Sequence, residues 1–265
     1  MTRSGRTTLL FAAIMGGAAV ILAARPLGLA LSETVLEWTS ALGKLPFLLV
    51  AVVYAWRNAR RFEAGNPARL GWLLLFAGWL SFTFAQSSLC VYELYLGVAV
   101  PFPSIADVFF LIGYPLLIAS LFAFLRSYAA AGFPIGGAGE RWLLAAATLL
   151  ACALLGVPIL RPIVAAPAPA LEKFLNVVYP VLDFVLLVPT VLLLRVTVRF
   201  RGGAVWKTWL ALLGGVIFTF AGDSVFAYLQ ALGETRFLRL VDILYVLSFG
   251  WIARGVLYQY EMLSD

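Results

Sequence analysis

Apolar residues run along this chain in blocks long enough to cross a bilayer, separated by short joints where charge, proline and glycine collect. A helix needs about 20 residues to cross ~30 Å of hydrocarbon. Blocks of about that length lie at 8–24, 38–56, 70–92, 106–126, 141–160, 175–195, 206–229 and 237–257. The pattern predicts an all-α integral membrane protein of about eight transmembrane helices. The joints include Arg60 to Pro67, Gly132 to Glu140 and Arg201-Gly202-Gly203. The alternation of proline and alanine in Ala165-Ala166-Pro167-Ala168-Pro169 predicts an extended, stiff surface loop. None of these joints is long enough to fold by itself, so residues 1–265 read as a single transmembrane helical bundle.

Composition strengthens that picture. Hydrophobic residues make up 63% of the chain and charged residues 12%, against roughly 45–50% and about 25% in soluble domains. A chain of this make-up cannot cover itself with charge, and lipid is its natural solvent. The basic start, Arg3 and Arg6 before an apolar run from Thr8 to Ala24, resembles a signal peptide. In Ala23-Ala24-Arg25-Pro26 a proline falls just after the point where cleavage would occur, and many more spans follow, so an uncleaved first helix is expected.

Charge sets the expected orientation. Thirteen of the nineteen basic residues fall on one side of the predicted topology, among them Arg57, Arg60, Arg61, Arg69, Arg195, Arg199 and Arg201; Arg25, Lys44, Arg161, Lys173, Arg236 and Arg239 fall on the other. The rule that positive loops stay inside then places both termini in the cytoplasm of a bacterial inner membrane. The net charge of +6 belongs to these clusters, not to a basic face of a folded domain, so nucleic acid is not an expected partner.

An internal repeat refines the architecture. Phe-Thr-Phe-Ala occurs at 82–85 and again at 218–221, 136 positions later. At the same offset Gly78 matches Gly214, Ser88 matches Ser224, Tyr92 matches Tyr228 and Gly97 matches Gly233; a one-residue adjustment brings Asp107 onto Asp242. The expected arrangement is a parallel 4+4 repeat, with units at approximately 1–130 and 140–265. The halves differ chemically, because Gln86-Ser87 stands where Gly222-Asp223 stands in the second.

Few residues offer chemistry. The chain has no histidine, which removes the commonest proton relay and metal ligand. Cys90 and Cys152 lack metal-site spacing and are expected to be reduced packing residues. Lys44, Lys173 and Lys207 all read as lying near helix ends, which argues against a buried Schiff-base lysine. No hydrolase elbow, phosphate loop or other enzyme motif occurs, so a non-enzymatic protein is expected.

Acids inside apolar runs are costly and conspicuous. Asp183 and Asp223 are the deepest. They are expected either to line a ligand pocket with Tyr179, Tyr228 and Ser224, or to hold helices together by hydrogen bonds to those same residues. Pro180 and Pro189 flank Asp183, and interrupted helices beside a buried acid point toward a binding site. Asp107 and Asp242 read instead as structural. Ser104-Ile105-Ala106-Asp107 has the spacing of a capping box, and Arg239 stands one helical turn before Asp242, as an ion-pair partner would.

Pro101-Phe102-Pro103-Ser104-Ile105-Ala106-Asp107, with Gly113-Tyr114-Pro115, resembles the signature of a bacterial multi-helix membrane module that precedes GGDEF and EAL domains in cyclic-di-GMP signalling proteins. Tyr179-Pro180-Val181-Leu182-Asp183 is similar to its Y-P-x-x-D element, and Gly222-Asp223 with Asp242 to its later G-D and D elements. The likeness runs from about residue 70 onward. It implies a sensory membrane domain. The sequence stops soon after the last helix, without an output domain, so signalling through another membrane or cytoplasmic protein is expected. The other readings are an accessory or assembly subunit of a larger membrane complex, and a small transporter.

Overall fold

The computed structural model describes residues 3–133, 135–165, 167–234 and 237–264. Pro134 and Ala166 of the expected joints, and Arg236 of the charge count, lie outside the described residues. Among those described there are nine α-helices and no strands. They are α1 (Arg3–Leu22), α2 (Glu33–Leu42), α3 (Leu45–Ala59), α4 (Pro67–Cys90), α5 (Ile105–Ala130), α6 (Ala138–Ala165), α7 (Ala170–Thr197), α8 (Ala204–Leu232) and α9 (Leu238–Met262).

Eight segments are long and apolar enough to cross a membrane, one for each predicted block. The ninth helix comes from a break. The block expected at 38–56 is divided at Gly43-Lys44 into α2 and α3, which together form the span Glu33–Ala59. Pro46 lies in the first turn of α3, where it has no amide to continue the ladder from α2. A second departure is α6, which runs past its expected end at 160 through Pro158 and Pro162.

Helix ends follow local chemistry. Asn66 caps α4 by accepting from the Ala68 amide at 2.8 Å, with Pro67 in the first turn. A π-helical turn, Val91–Tyr95, extends α4, and Gly97 and Gly233 end the α4 and α8 segments in left-handed conformation, at φ 63° and 72°.

In lipid, tight packing takes the place of the hydrophobic effect between helices, and small residues permit close approach. The buried stripe of α4, including Ala68, Gly71, Trp72, Leu75, Gly78, Trp79, Phe82 and Ala85, recurs every three or four residues. It faces α5, where a Cβ added to Gly78 would lie 2.6 Å from Leu117 and one added to Gly113 2.6 Å from Phe82. Helix α9, the most buried of the spans, packs on α8, α3 and α1. By contrast α6 touches α7 and α8 and leaves Trp142, Leu143 and Leu154 largely exposed, as lipid-facing residues would be.

The two ends of the bundle are built differently. At the end where α4 and α8 stop and α5 and α9 start, side chains surround open space. At the opposite end α9 is clamped. The buried guanidinium of Arg254 donates to Thr8 Oγ1 at 3.0 Å, to the Ser4 carbonyl at 3.0 Å and to Glu261 at 3.0 Å, and it lies 3.6 Å from the Tyr258 ring centroid. Asn58 of α3 donates to the Val256 carbonyl at 3.0 Å, and Arg61 donates to the Leu263 carbonyl.

Candidate functional site

A cavity of about 720 Å³ occupies the first of these ends. Its walls come from the α2–α3 break, the π-helical end of α4, the start of α5, the first half of α7, the end of α8 and the start of α9. The loop Gly97 to Phe102 contributes an apolar rim. Pro180 also lines it; a proline there offers no amide to the Asn176 carbonyl one turn earlier, and Asn176 stands in the same wall.

Asp183 and Asp223 are brought together at the base of this space. Asp223 lines the cavity, while Asp183 lies behind it at 0% exposure. Tyr114 of α5 joins them, with its Oη 2.8 Å from Asp183 Oδ1 and 3.0 Å from Asp223 Oδ2. Tyr245 of α9 donates to Asp223 Oδ1 at 2.7 Å. Four helices therefore meet at two carboxylates and two phenols. Asp183 Oδ2 is buried and has no hydrogen-bond partner among the described residues.

The expected companions of these acids are distributed otherwise. Tyr179 lines the cavity, but its hydroxyl donates to Asp107 Oδ1 at 2.6 Å rather than to Asp183. Tyr228 is 39% exposed on the flank of α8 and is not part of the cavity. Ser224 is buried on another face of α8, and its Oγ meets neither acid. Tyr114 and Tyr245 take the places expected for Tyr179 and Tyr228. Each carried a sequence signal: Tyr114 is the tyrosine of Gly113-Tyr114-Pro115, and Tyr245 stands one turn after Asp242.

Ser104 and Asp107 form the cap of α5. The Ser104 amide donates to Asp107 Oδ2 at 2.6 Å, and the Ser104 hydroxyl lies 3.2 Å from the same oxygen. Asp242 is not a cap, because it falls a full turn into α9. Nor does it pair with Arg239. Its partners are Lys44 Nζ at 2.7 Å and the Ser40 hydroxyl, while Arg239 reaches Glu33 at 3.1 Å. Tertiary approach of the α2–α3 break replaces the expected pair within α9. The break also buries Lys44, at 6% exposure, because it lies inside the bundle. Lys44 does lie at a helix end, as expected, immediately before α3, but its amine is buried in the cavity wall.

The remaining lining acids are Glu37 and Glu93, and Gln86 adds an amide that donates to the Ala41 carbonyl at 3.1 Å. Among the described residues no group of three or more acids and thiols is arranged to hold a metal ion. Toward the middle of the bundle the space ends on aromatic rings. Phe82 packs edge-on against Phe110, Tyr114 and Trp79 at centroid distances of 5.1, 5.4 and 5.2 Å. Beyond them Trp72, Phe124 and Trp209 form a second contiguous edge-to-face cluster at 5.0 and 5.1 Å. Set against family models, curated proteins and solved structures, the chain matches none of them.

Proposed function

We propose that this polytopic membrane protein is a non-enzymatic sensory module, which binds a small ligand in the cavity and passes its occupancy to a partner protein at the other end of the bundle. The observation that carries the reading is the convergence on one cavity of residues far apart in sequence. Ser104, Asp107, Tyr114, Tyr179, Asp223 and Asp242, all within the segments that resemble the signalling module, line it together. Its volume falls within the range of roughly 300–1,000 Å³ common for small-molecule sites.

Helix α9 supplies the route for a signal. Val241, Asp242, Tyr245 and Phe249 in its first half face the cavity, and Arg254 and Glu261 in its second half hold α1. A ligand that shifts Asp242 or Tyr245 therefore acts on a helix tied to the opposite end. The excess of arginine at that end supports placing it in the cytoplasm of a bacterial inner membrane, with the cavity opening outward. The aromatic layers below the cavity weigh against the transporter reading, which needs a path from the acids to the far side.

Native mass spectrometry after extraction from the native membrane in mild detergent tests the proposal. The wild-type protein is expected to retain a small molecule, and Ala227→Trp, which fills the cavity from α8, is expected to lose it. Equal retention by both proteins would show that the molecule binds elsewhere. Retention of a stoichiometric larger protein with no small molecule would favour the accessory-subunit reading.

A further inference from the structure

We propose that the ligand of this cavity is an organic cation, a protonated amine on an apolar body, held by Asp223 with Asp183 as a second negative charge behind it. The inference rests on the ligand-binding reading and follows from counting charges and hydrogen-bond donors. Five carboxylates line the cavity, from Glu37, Glu93, Asp107, Asp223 and Asp242, against two cations, Lys44 and Arg239. Both cations are engaged, Lys44 with Asp242 and Arg239 with Glu33. Neither forms an ion pair with Asp183 or Asp223.

Hydrogen bonding gives the same answer by a separate route. Asp107 is provided for, with the Ser104 amide and the Tyr179 hydroxyl as donors. The deeper pair is short. Tyr245 gives its proton to Asp223 Oδ1. Tyr114 has one proton for two oxygens, Asp183 Oδ1 and Asp223 Oδ2. Asp183 Oδ2, fully buried, receives none among the described residues. Two carboxylates held together in an apolar bundle are maintained either by a proton shared between them or by a cation that joins them, and ionising both requires the cation.

A ligand at Asp223, the member of the pair that lines the cavity, answers best if it brings positive charge to both carboxylates and N–H groups to the accessible one. An anion would add to the excess, and a neutral molecule would leave the charge uncompensated. A bare metal ion would leave most of a cavity of about 720 Å³ empty. The rest of the lining suits an apolar body attached to an ammonium group. The rings of Phe110, Phe226, Tyr245 and Phe249 line the space, where aromatic groups attract cations, and Val98, Val100 and Phe102 add an apolar rim.

Calorimetric titration of the full chain in lipid nanodiscs near neutral pH tests the inference, with phenethylammonium and its neutral isostere 2-phenylethanol as probes. The wild-type protein is expected to bind the amine at least about tenfold more tightly than the alcohol. In Asp223→Asn the amine should fall to the level of the alcohol, whose own affinity stays unchanged. Asp183→Asn should narrow the preference by a smaller factor and decides the matter if Asp223→Asn does not fold. Equal binding of both probes by the wild type would overturn the cation while leaving a ligand-binding cavity in place. Failure of the folded wild type to bind either would also overturn it, with the retained-molecule experiment then judging the cavity by itself. An undiminished amine preference in folded Asp223→Asn would overturn the assigned role of the acid.

Discussion

The hairpins α4–α5 and α8–α9 begin from closely similar sequences and put them to different use. Both carry Phe-Thr-Phe-Ala, and a left-handed glycine follows the α4 segment and α8 alike. In both a small residue lets the helices meet, Gly78 against Leu117 in one and Gly215 against Ile252 in the other. The polar positions then diverge as a set. In the first hairpin Gln86, Ser87 and Phe110 carry no charge at these positions, and Gln86 spends its amide on the Ala41 carbonyl. In the second the matching positions are Gly222, Asp223 and Tyr245. The absence of a side chain at Gly222 makes room for the Tyr245 ring, which lies 2.8 Å from where a Cβ would stand, and the phenol thereby reaches Asp223. Both hairpins supply acids to the cavity, Glu93 and Asp107 from the first and Asp223 and Asp242 from the second, but these three coordinated differences place the deep one, Asp223, in the second alone. The lesson is that the scaffold tolerates either chemistry, and that a buried acid here depends on neighbours shaped around it.

The largest expected effect concerns the matching acids Asp107 and Asp242. Asp107 is held by hydrogen bonds within its own cap and by Tyr179, whereas Asp242 depends on Lys44 from another helix. Lys44→Met leaves Asp242 without its cation and should cost about 3–5 kcal/mol, the usual penalty for stranding one member of a buried pair. Unfolding in graded denaturing detergent measures it. Adding Asp242→Asn to Lys44→Met should recover part of the loss; no recovery would mean that Lys44 stabilises the α2–α3 break by packing alone.

The glycines separate the hairpins next. Gly222→Ala drives a methyl into the Tyr245 ring and should cost about 1–3 kcal/mol, as overpacking does. At Gly214 the nearest atom to an added Cβ is Trp251 at 3.6 Å, an ordinary contact, so Gly214→Ala should change stability by less than about 0.5 kcal/mol. Thermal midpoints in the same detergent compare the two. Equal effects would break the link between Gly222 and the placement of Tyr245.

Much of this was legible in the chain, and the part that was not has physical causes. Run length alone placed all eight spans, because a helix satisfies its backbone within one continuous segment and so crosses lipid as a single apolar run. The division at Gly43-Lys44 was not legible, since apolar residues continue on both sides of it and only packing reveals that Pro46 begins a new helix. Asp183 and Asp223 stood out by their depth. Their partners did not, because periodicity tells which face of a helix a residue occupies but not which helix it meets; Tyr114 is 69 residues from one acid and 109 from the other. The expected Arg239–Asp242 pair used the only neighbours visible locally, and Glu33 and Lys44 arrived from another helix to replace it.

The smallest effect is the most selective test of the comparison. Tyr245→Phe gives the second hairpin the ring that the first already has at Phe110, and it removes one donor from Asp223 while leaving both carboxylates in place. Interhelical hydrogen bonds in membranes contribute about 0.6 kcal/mol on average, so the loss of stability should be about 1 kcal/mol or less. The ring still fills the space beside Gly222, so the packing penalty expected of Gly222→Ala should be absent. If Asp223 holds a cation, the variant should keep its preference for phenethylammonium over 2-phenylethanol, because charge and not the phenol sets it. A loss of stability as large as that of Gly222→Ala would instead mean that the hydroxyl, and not the fit of the ring, fixes α9 against α8.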